Sequence, residues 1–251
     1  MNYTFTTTAA TTQPNDMAYN EAGKREKIVG DWLDYYFYPH YIQFIKDVGL
    51  EVNKTERVKD KQRQIAGIDY TISASLNGSS YTYNYDEKAT LSDKFLNNNS
   101  LTTNCFQIGE LNRYGNYQHG WGNSPKSLTT TYTLINYIYT TSASTITDVE
   151  SIEKCAIYII RKEKIKSLLE KNGIKFDDLW NIAQQAYQMG YIPKEYWKYH
   201  CKTDNFCFYF NKFLGNKPCE VLISLDWIKT NAIVCKVDKK GCKIEWNNIK
   251  K

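Results

Sequence analysis

The feature that most restricts the fold of this 251-residue chain is an Asn77-Gly78 pair between two segments rich in β-type residues. Asn and Gly accept the positive backbone φ angles that a two-residue turn between antiparallel strands requires. The sequence therefore predicts a hairpin with strands over 65–75 and 79–90. This is the strongest local signal in the chain.

The predicted hairpin brings charged residues together. Side chains alternate along a strand, so Asp86 and Lys88 share one face while Glu87 lies on the other. A turn at Asn77-Gly78 also pairs Asp69 with Asp86. Two adjacent carboxylates repel each other, and a divalent cation that prefers oxygen ligands, such as Mg²⁺ or Mn²⁺, compensates both charges.

Such a constellation has a chemical use. A bound metal lowers the pKa of a water molecule and neutralises charge that develops on phosphate, while a lysine can orient that water. The combination suits hydrolysis of a phosphodiester. The alternative interpretation is an Asp in a turn followed by an ordinary exposed Asp-x-Lys strand, because the pattern is short and common.

The rest of the chain predicts alternating helices and strands. Apolar residues between Ile28 and Phe37 recur at helical spacing, and Pro39 ends that helix. The charged segment 51–64 is expected to be a solvated connector. The other predicted helices cover 41–48, 162–172 and 177–189, and the other predicted strands cover 101–109, 129–140, 155–161 and the start of 220–231. This order favours an α/β sandwich around a mixed sheet.

Domain organisation follows from composition and length. A 42% hydrophobic fraction excludes a largely disordered protein, and no apolar run is long enough for a membrane-spanning helix. We expect a flexible Thr-rich arm over 1–15 and a single domain over 16–251, with its core at about 16–170 and a C-terminal elaboration at about 171–251. Residues 1–15 lack a secretion signal, so we expect a cytoplasmic protein of a bacterium or a phage-infected cell.

The hairpin sequences resemble a known superfamily. Gln64-x-x-Gly-Ile-Asp69-Tyr, followed by Tyr-Asp86-Glu-Lys88-Ala, is similar to the PD-(D/E)xK nucleases, and within them to uncharacterised phage and bacterial members. The resemblance implies an α/β fold with a restriction-endonuclease-like core, in which helices flank a central mixed β-sheet. It also implies that Asp69 and Asp86 bind Mg²⁺ or Mn²⁺, that Lys88 is the catalytic lysine, and that DNA is the substrate.

Further site residues are expected on the same basis. Glu26, on the first helix, is a candidate third metal ligand, although a solvent-facing Glu is the commoner interpretation. Gln64 and Gln107 are candidates for lining the site, and His119, in a Gly-rich loop, is a candidate substrate contact or a plain loop histidine. Gln107 stands where related sequences often have Glu, and Ile68 stands where Pro is frequent.

The alternatives concern what the fold is used for. A catalytically inactive module could retain the nuclease fold and bind nucleic acid or protein. A structural phage protein is a third possibility, and it predicts that neither basic patch, 161–166 or 236–243, lies beside the hairpin face. Many nucleases of this kind act as dimers, so a homodimer is possible, but no residue identifies its interface. DNA and RNA are not distinguished by any residue.

Overall fold

The structure is a computed structural model that describes residues 16–65, 67–91, 102–112, 114–120, 122, 123, 132–140 and 146–246. The arm predicted over 1–15 lies outside the described residues. The described chain is a mixed α/β protein, as predicted. Its helices are α1 (Asp16–Tyr36), α2 (Tyr38–Asp47), α3 (Lys61–Ile65), α4 (Lys162–Lys171), α5 (Leu179–Met189) and α6 (Leu225–Asn231).

The strands form two sheets. The larger sheet has the order β1-β2-β3-β6-β7-β10-β11, and the smaller has the order β5-β4-β9-β8. Only the pairing of β3 with β6 is parallel among the described strand pairs. The strands are β1 (Glu51–Arg57), β2 (Tyr70–Leu76), β3 (Ser79–Leu91), β4 (Thr102–Leu111), β5 (Tyr117–His119), β6 (Tyr132–Thr140), β7 (Ile152–Arg161), β8 (Phe206–Phe210), β9 (Cys219–Ser224), β10 (Ile233–Asp238) and β11 (Gly241–Trp246).

The hairpin prediction is confirmed. Asn77 and Gly78 have φ angles of 50° and 79°, as a tight turn between β2 and β3 requires. The register ends with Tyr70 paired to Tyr85, and Asp69 and Asp86 are the next residues beyond this pair on their two strands. The first strand begins later than predicted, at Tyr70, because 61–65 forms the short helix α3.

The prediction of a solvated connector over 51–64 is wrong. Its first half is β1, an edge strand that pairs with β2, and most of its charged side chains face solvent. Charged residues on an edge strand protect it from pairing with other chains, which explains a strand of this composition. Arg57, at its end, is instead only 23% exposed and carries a network described below.

Both faces of the larger sheet are covered. On one face, α1 and α2 contribute Trp32, Leu33 and Tyr41, which pack with Tyr85 of β3 and with alternate residues of β7 and β10. The other face of β7 packs with α4, α5 and the smaller sheet in a second apolar cluster. The hairpin is thus held from behind by the two N-terminal helices.

The C-terminal third of the chain contributes to both sheets. Strands β10 and β11 extend the larger sheet next to β7, and β9 pairs with β4 in the smaller sheet. No helix within the described part of the chain is long and apolar enough to cross a membrane.

Candidate functional site

Asp69 is fixed at the entrance to β2 by two backbone contacts. Its amide donates to the carbonyl of Tyr85 at 2.8 Å, and its Oδ2 accepts a hydrogen bond from the amide of Glu87 at 2.7 Å. Both contacts are made just beyond the last paired residues of the hairpin, Tyr70 and Tyr85. The Asp69 carboxylate is therefore positioned over the segment that carries Asp86 and Lys88.

Asp86 is the most deeply buried charged residue of the hairpin, with 0% exposure. Lys88 Nζ lies 2.7 Å from its Oδ1 in an ion pair. Neither carboxylate oxygen has another partner within the described residues. Burial raises the pKa of Asp86 above its ordinary value; Lys88 acts in the opposite direction, and the nearby Asp69 raises the pKa further.

Lys88 lies among carboxylates at the open side of this face. Desolvation alone would lower its pKa, but the charges of Asp86, Asp69 and Glu26 raise it above its usual value. Its side chain as a whole is 31% exposed. A charged lysine beside a buried carboxylate is a suitable group for contacting an incoming anion.

Lys162, the first residue of α4, brings a second ammonium group toward the same place. It is only 9% exposed, and burial lowers its pKa to about 8, partly offset by the charge of Asp86. Lys88 lowers the pKa of Lys162 further, so both lysines lie within electrostatic range of Asp86. Part of the 161–166 basic patch therefore lies beside the hairpin face, contrary to what the structural-protein alternative predicts.

Glu26 reaches this cluster from α1. Desolvation raises the pKa of its carboxyl group, Lys88 lowers it, and Asp69 raises it. These interactions place Glu26 near both hairpin residues even though it remains on the exposed side of the helix. The carboxyl groups of Glu26, Asp69 and Asp86 thus all lie within electrostatic range of Lys88.

The opposite face of β3 carries a different arrangement, centred on Glu87. Arg57 Nη1 contacts Glu87 Oε2 at 2.7 Å, and the Tyr38 hydroxyl donates to Glu87 Oε1. Arg57 also binds both carboxylate oxygens of Asp34 through Nε, and its guanidinium lies 5.2 Å from the ring centroid of Tyr70. This network, which we call the Arg57 network, joins α1, α2 and β1 to the hairpin.

The three predicted polar contacts lie in two parts of the fold: Gln64 precedes the hairpin, whereas Gln107 and His119 lie on the paired strands β4 and β5. Gln64 donates from Nε2 to the carbonyl of Val58 at 3.0 Å, and Val58 in turn is bonded to the carbonyl of Asp69. Gln107 is on β4 in the smaller sheet, where it donates to Glu110 at 3.1 Å. His119 is on β5, stacked on Trp180 with ring centroids 4.1 Å apart. Their roles as substrate contacts stay predictions.

The donor set of the hairpin cluster fits a hard divalent cation. Asp86 offers a buried oxygen with no partner in the described chain, and Asp69 and Glu26 offer further carboxylate oxygens. Among the described residues, no three His, Cys, Asp or Glu side chains are already gathered as a ligand cluster. Mg²⁺ characteristically takes one or two carboxylates and keeps several waters, so a two-carboxylate site matches its requirements.

Sequence reasoning missed the specific importance of Lys162 and Arg57. Lys162 was recognisable only as one member of a basic patch, and Arg57 as one charge in a polar segment. The local signal for Lys162 is its position directly after the apolar strand β7, which buries its stem. For Arg57 the sequence holds no local signal, because its partners come from α1, α2 and β3.

Comparison with other proteins provides no relative for the chain. It matches no protein-family model, no curated protein and no solved structure.

Proposed function

We propose that this protein is a metal-dependent nuclease that hydrolyses phosphodiester bonds of DNA. The observation that carries the proposal is the convergence of Asp69, Asp86 and Lys88 on one hairpin face, with a fully buried Asp86 carboxylate that lacks sufficient partners. A buried carboxylate in this state is costly, and such costs are typical of functional sites. The resemblance to PD-(D/E)xK nucleases, with its restriction-endonuclease-like core, agrees with this placement.

The proposed roles are as follows. Asp69 and Asp86 would hold Mg²⁺ or Mn²⁺, and Glu26 would add a third carboxylate. When bound, the metal supplies a water of lowered pKa and neutralises charge on the phosphate. Lys88, beside Asp86, positions that water or stabilises the developing charge. Lys162 adds positive charge behind the same carboxylate.

DNA as substrate, a possible homodimer and a cytoplasmic location belong to the proposal as well. DNA is preferred over RNA because of the family resemblance. The chain carries 32 basic and 27 acidic residues, a mild excess that is compatible with a polyanionic substrate.

The test is cleavage of plasmid and single-stranded DNA with Mg²⁺ or Mn²⁺. We expect metal-dependent cutting by the wild type and a loss of about a hundredfold to a thousandfold in rate for Asp86→Asn and Lys88→Ala, the scale typical of removing a group that acts in the transition state. Asp226→Asn, which removes a 72% exposed carboxylate elsewhere, is the matched control and should cut normally.

Two outcomes would contradict the proposal. Cutting that persists in both site variants would assign the activity to another site or to a contaminant. If no protein cuts but DNA is still bound, the inactive binding module is the better description.

A further inference from the structure

A second surface of the molecule has the chemistry of a ligand site. An open groove of about 380 Å³ lies beside the C-terminal end of α5 and the strand β8. Six of its nine lining residues are aromatic. The four most exposed of these aromatic residues, together with Lys212, are called the aromatic groove here: Tyr191, Trp197, Tyr209 and Phe213.

The aromatic rings are exposed rather than packed. Phe213 is 88% exposed, Trp197 is 55% exposed, and Tyr191 and Tyr209 are each more than 40% exposed. Single exposed apolar residues need no explanation, but a contiguous group of them marks an interaction surface. Four such residues in one groove therefore offer a contact surface that suits a partner with a flat or apolar surface.

The position of Trp197 is fixed although its ring is exposed. Its Nε1 donates to the carbonyl of Ile192 at 2.7 Å, and its ring meets that of Tyr191 edge-on, with centroids 6.3 Å apart. An immobilised aromatic ring loses little entropy when a ligand stacks on it. Trp197 is thus prepared for contact before any ligand arrives.

The charge of the groove selects the kind of partner. Lys212 is the one charged residue among the described residues that line it, and its Nζ lies 5.2 Å from the centroid of Phe213. The segment 191–217, which supplies eight of the nine lining residues, has an excess of positive charge: its lysines are Lys194, Lys198, Lys202, Lys212 and Lys217, and its acidic residues are Glu195 and Asp204. An aromatic groove that contains a lysine, on a chain segment with this excess, is complementary to a flexible polyanion with planar rings.

We propose that the aromatic groove binds single-stranded nucleic acid, with unpaired bases stacked on Trp197 and Phe213 and a backbone phosphate at Lys212. Stacking on aromatic side chains beside basic residues is how proteins hold single strands without reading their sequence. The proposal goes beyond the nuclease function and does not depend on metal or on Asp86. DNA and RNA single strands share this chemistry, so both are tested.

The experiment is fluorescence anisotropy of end-labelled oligo(dT) and oligo(rU) with the full chain in EDTA, where cleavage chemistry is inactive. Base stacking contributes enough that we expect Trp197→Ala and Phe213→Ala each to weaken binding about tenfold. Trp197→Phe, which keeps an aromatic ring, should recover most of the affinity. Tyr35→Ala removes a 72% exposed aromatic ring from α1 and should leave affinity within about twofold.

Salt dependence provides a second readout. Affinity should fall as the salt concentration rises. Lys212→Gln should reduce the magnitude of the slope of log affinity against log salt concentration by the amount that corresponds to about one phosphate contact. Asp226→Asn, which removes a 72% exposed carboxylate outside both proposed sites, should bind as the wild type does. Because the assay is run in EDTA and measures binding rather than cleavage, failure of the nuclease proposal would not imitate failure here. The inference is overturned if the wild type binds neither oligonucleotide, or if Tyr35→Ala weakens binding as much as Trp197→Ala. It is also overturned if the groove variants change self-association and leave oligonucleotide binding intact.

Discussion

The two faces of β3 carry the carboxylates of two adjacent residues, and these carboxylates differ in their bonding partners. Glu87 on one face is bonded to Arg57 and to Tyr38, so both of its oxygens have partners. Within the described part of the chain, the Asp86 carboxylate on the other face has one ion-pair partner, Lys88, and no hydrogen-bond partner besides it. Both carboxyl groups have raised pKa values, burial being the largest cause in each case.

This difference distinguishes a carboxylate that stabilises the fold, Glu87, from one that is available to a ligand, Asp86. The Arg57 network satisfies its members within the protein and thereby joins the N-terminal helices to the sheet. The hairpin cluster leaves the carboxylate oxygens of Asp86 with too few hydrogen-bond partners. This burial lowers the stability of the folded state, and no structural contact within the described residues offsets the loss. This contrast leads to predictions that separate the two faces by stability and by metal binding.

The largest effect on stability is expected from breaking the Arg57 network. Arg57→Met keeps the apolar stem but removes the partner of two carboxylates, so Glu87 is left buried and uncompensated. We expect the free energy of unfolding to fall by about 2–4 kcal/mol, measured by urea denaturation. Lys54→Met on the same strand removes an exposed surface pair and should change stability by about 0.5 kcal/mol or less. Equal effects of the two variants would contradict the assignment.

A smaller effect should distinguish the two carboxylates directly. Glu87→Gln weakens a satisfied network, and we expect a loss of about 2 kcal/mol in metal-free buffer. Asp86→Asn removes a buried charge and its repulsion with Asp69, so the unfolding midpoint in the same buffer should stay unchanged or rise. The comparison fails if Asp86→Asn destabilises the protein as much as Glu87→Gln does.

The part of the site that could be predicted from the sequence is the part that depends on local turn chemistry. The Asn77-Gly78 turn predicts the hairpin, and the hairpin alone predicts that Asp69 falls opposite Asp86. The partners of the site could not be predicted in this way. Lys162 approaches Asp86 because β3 pairs with β6 and β6 with β7, and such long-range pairings leave no trace in local periodicity.

The charged segment before the hairpin shows a second limit. A high density of charge usually indicates a solvated surface, and for most of β1 it does. Arg57 differs because α1, α2 and β3 each provide it with a partner. Arg57 faces inward at the end of an edge strand, whereas its charged neighbours face solvent. Local composition cannot distinguish these two cases.

A third carboxylate, that of Glu220 on β9, is expected to have the smallest effect on stability, and this effect should depend on pH. Desolvation raises its pKa to about 7, so the folded state binds more protons than the unfolded state between about pH 4.5 and 7. The stability contributed by this group is therefore present at low pH and is lost as pH rises through 7. Glu220→Gln should gain about 1 kcal/mol relative to the wild type between pH 5 and pH 8, after allowance for partial solvent screening. Urea denaturation at both pH values measures the gain, and a pH-independent difference would show that Glu220 titrates normally.

Calorimetric titration with Mn²⁺ tests the central claim most directly, because it requires neither substrate nor turnover. We predict that the wild type binds Mn²⁺, that Asp86→Asn weakens this binding by at least tenfold, and that the exposed-surface variant Asp226→Asn leaves it unchanged. A wild-type chain that binds no Mn²⁺, or an Asp86→Asn variant that binds it as tightly as the wild type, would contradict the assignment of the hairpin face as a metal site.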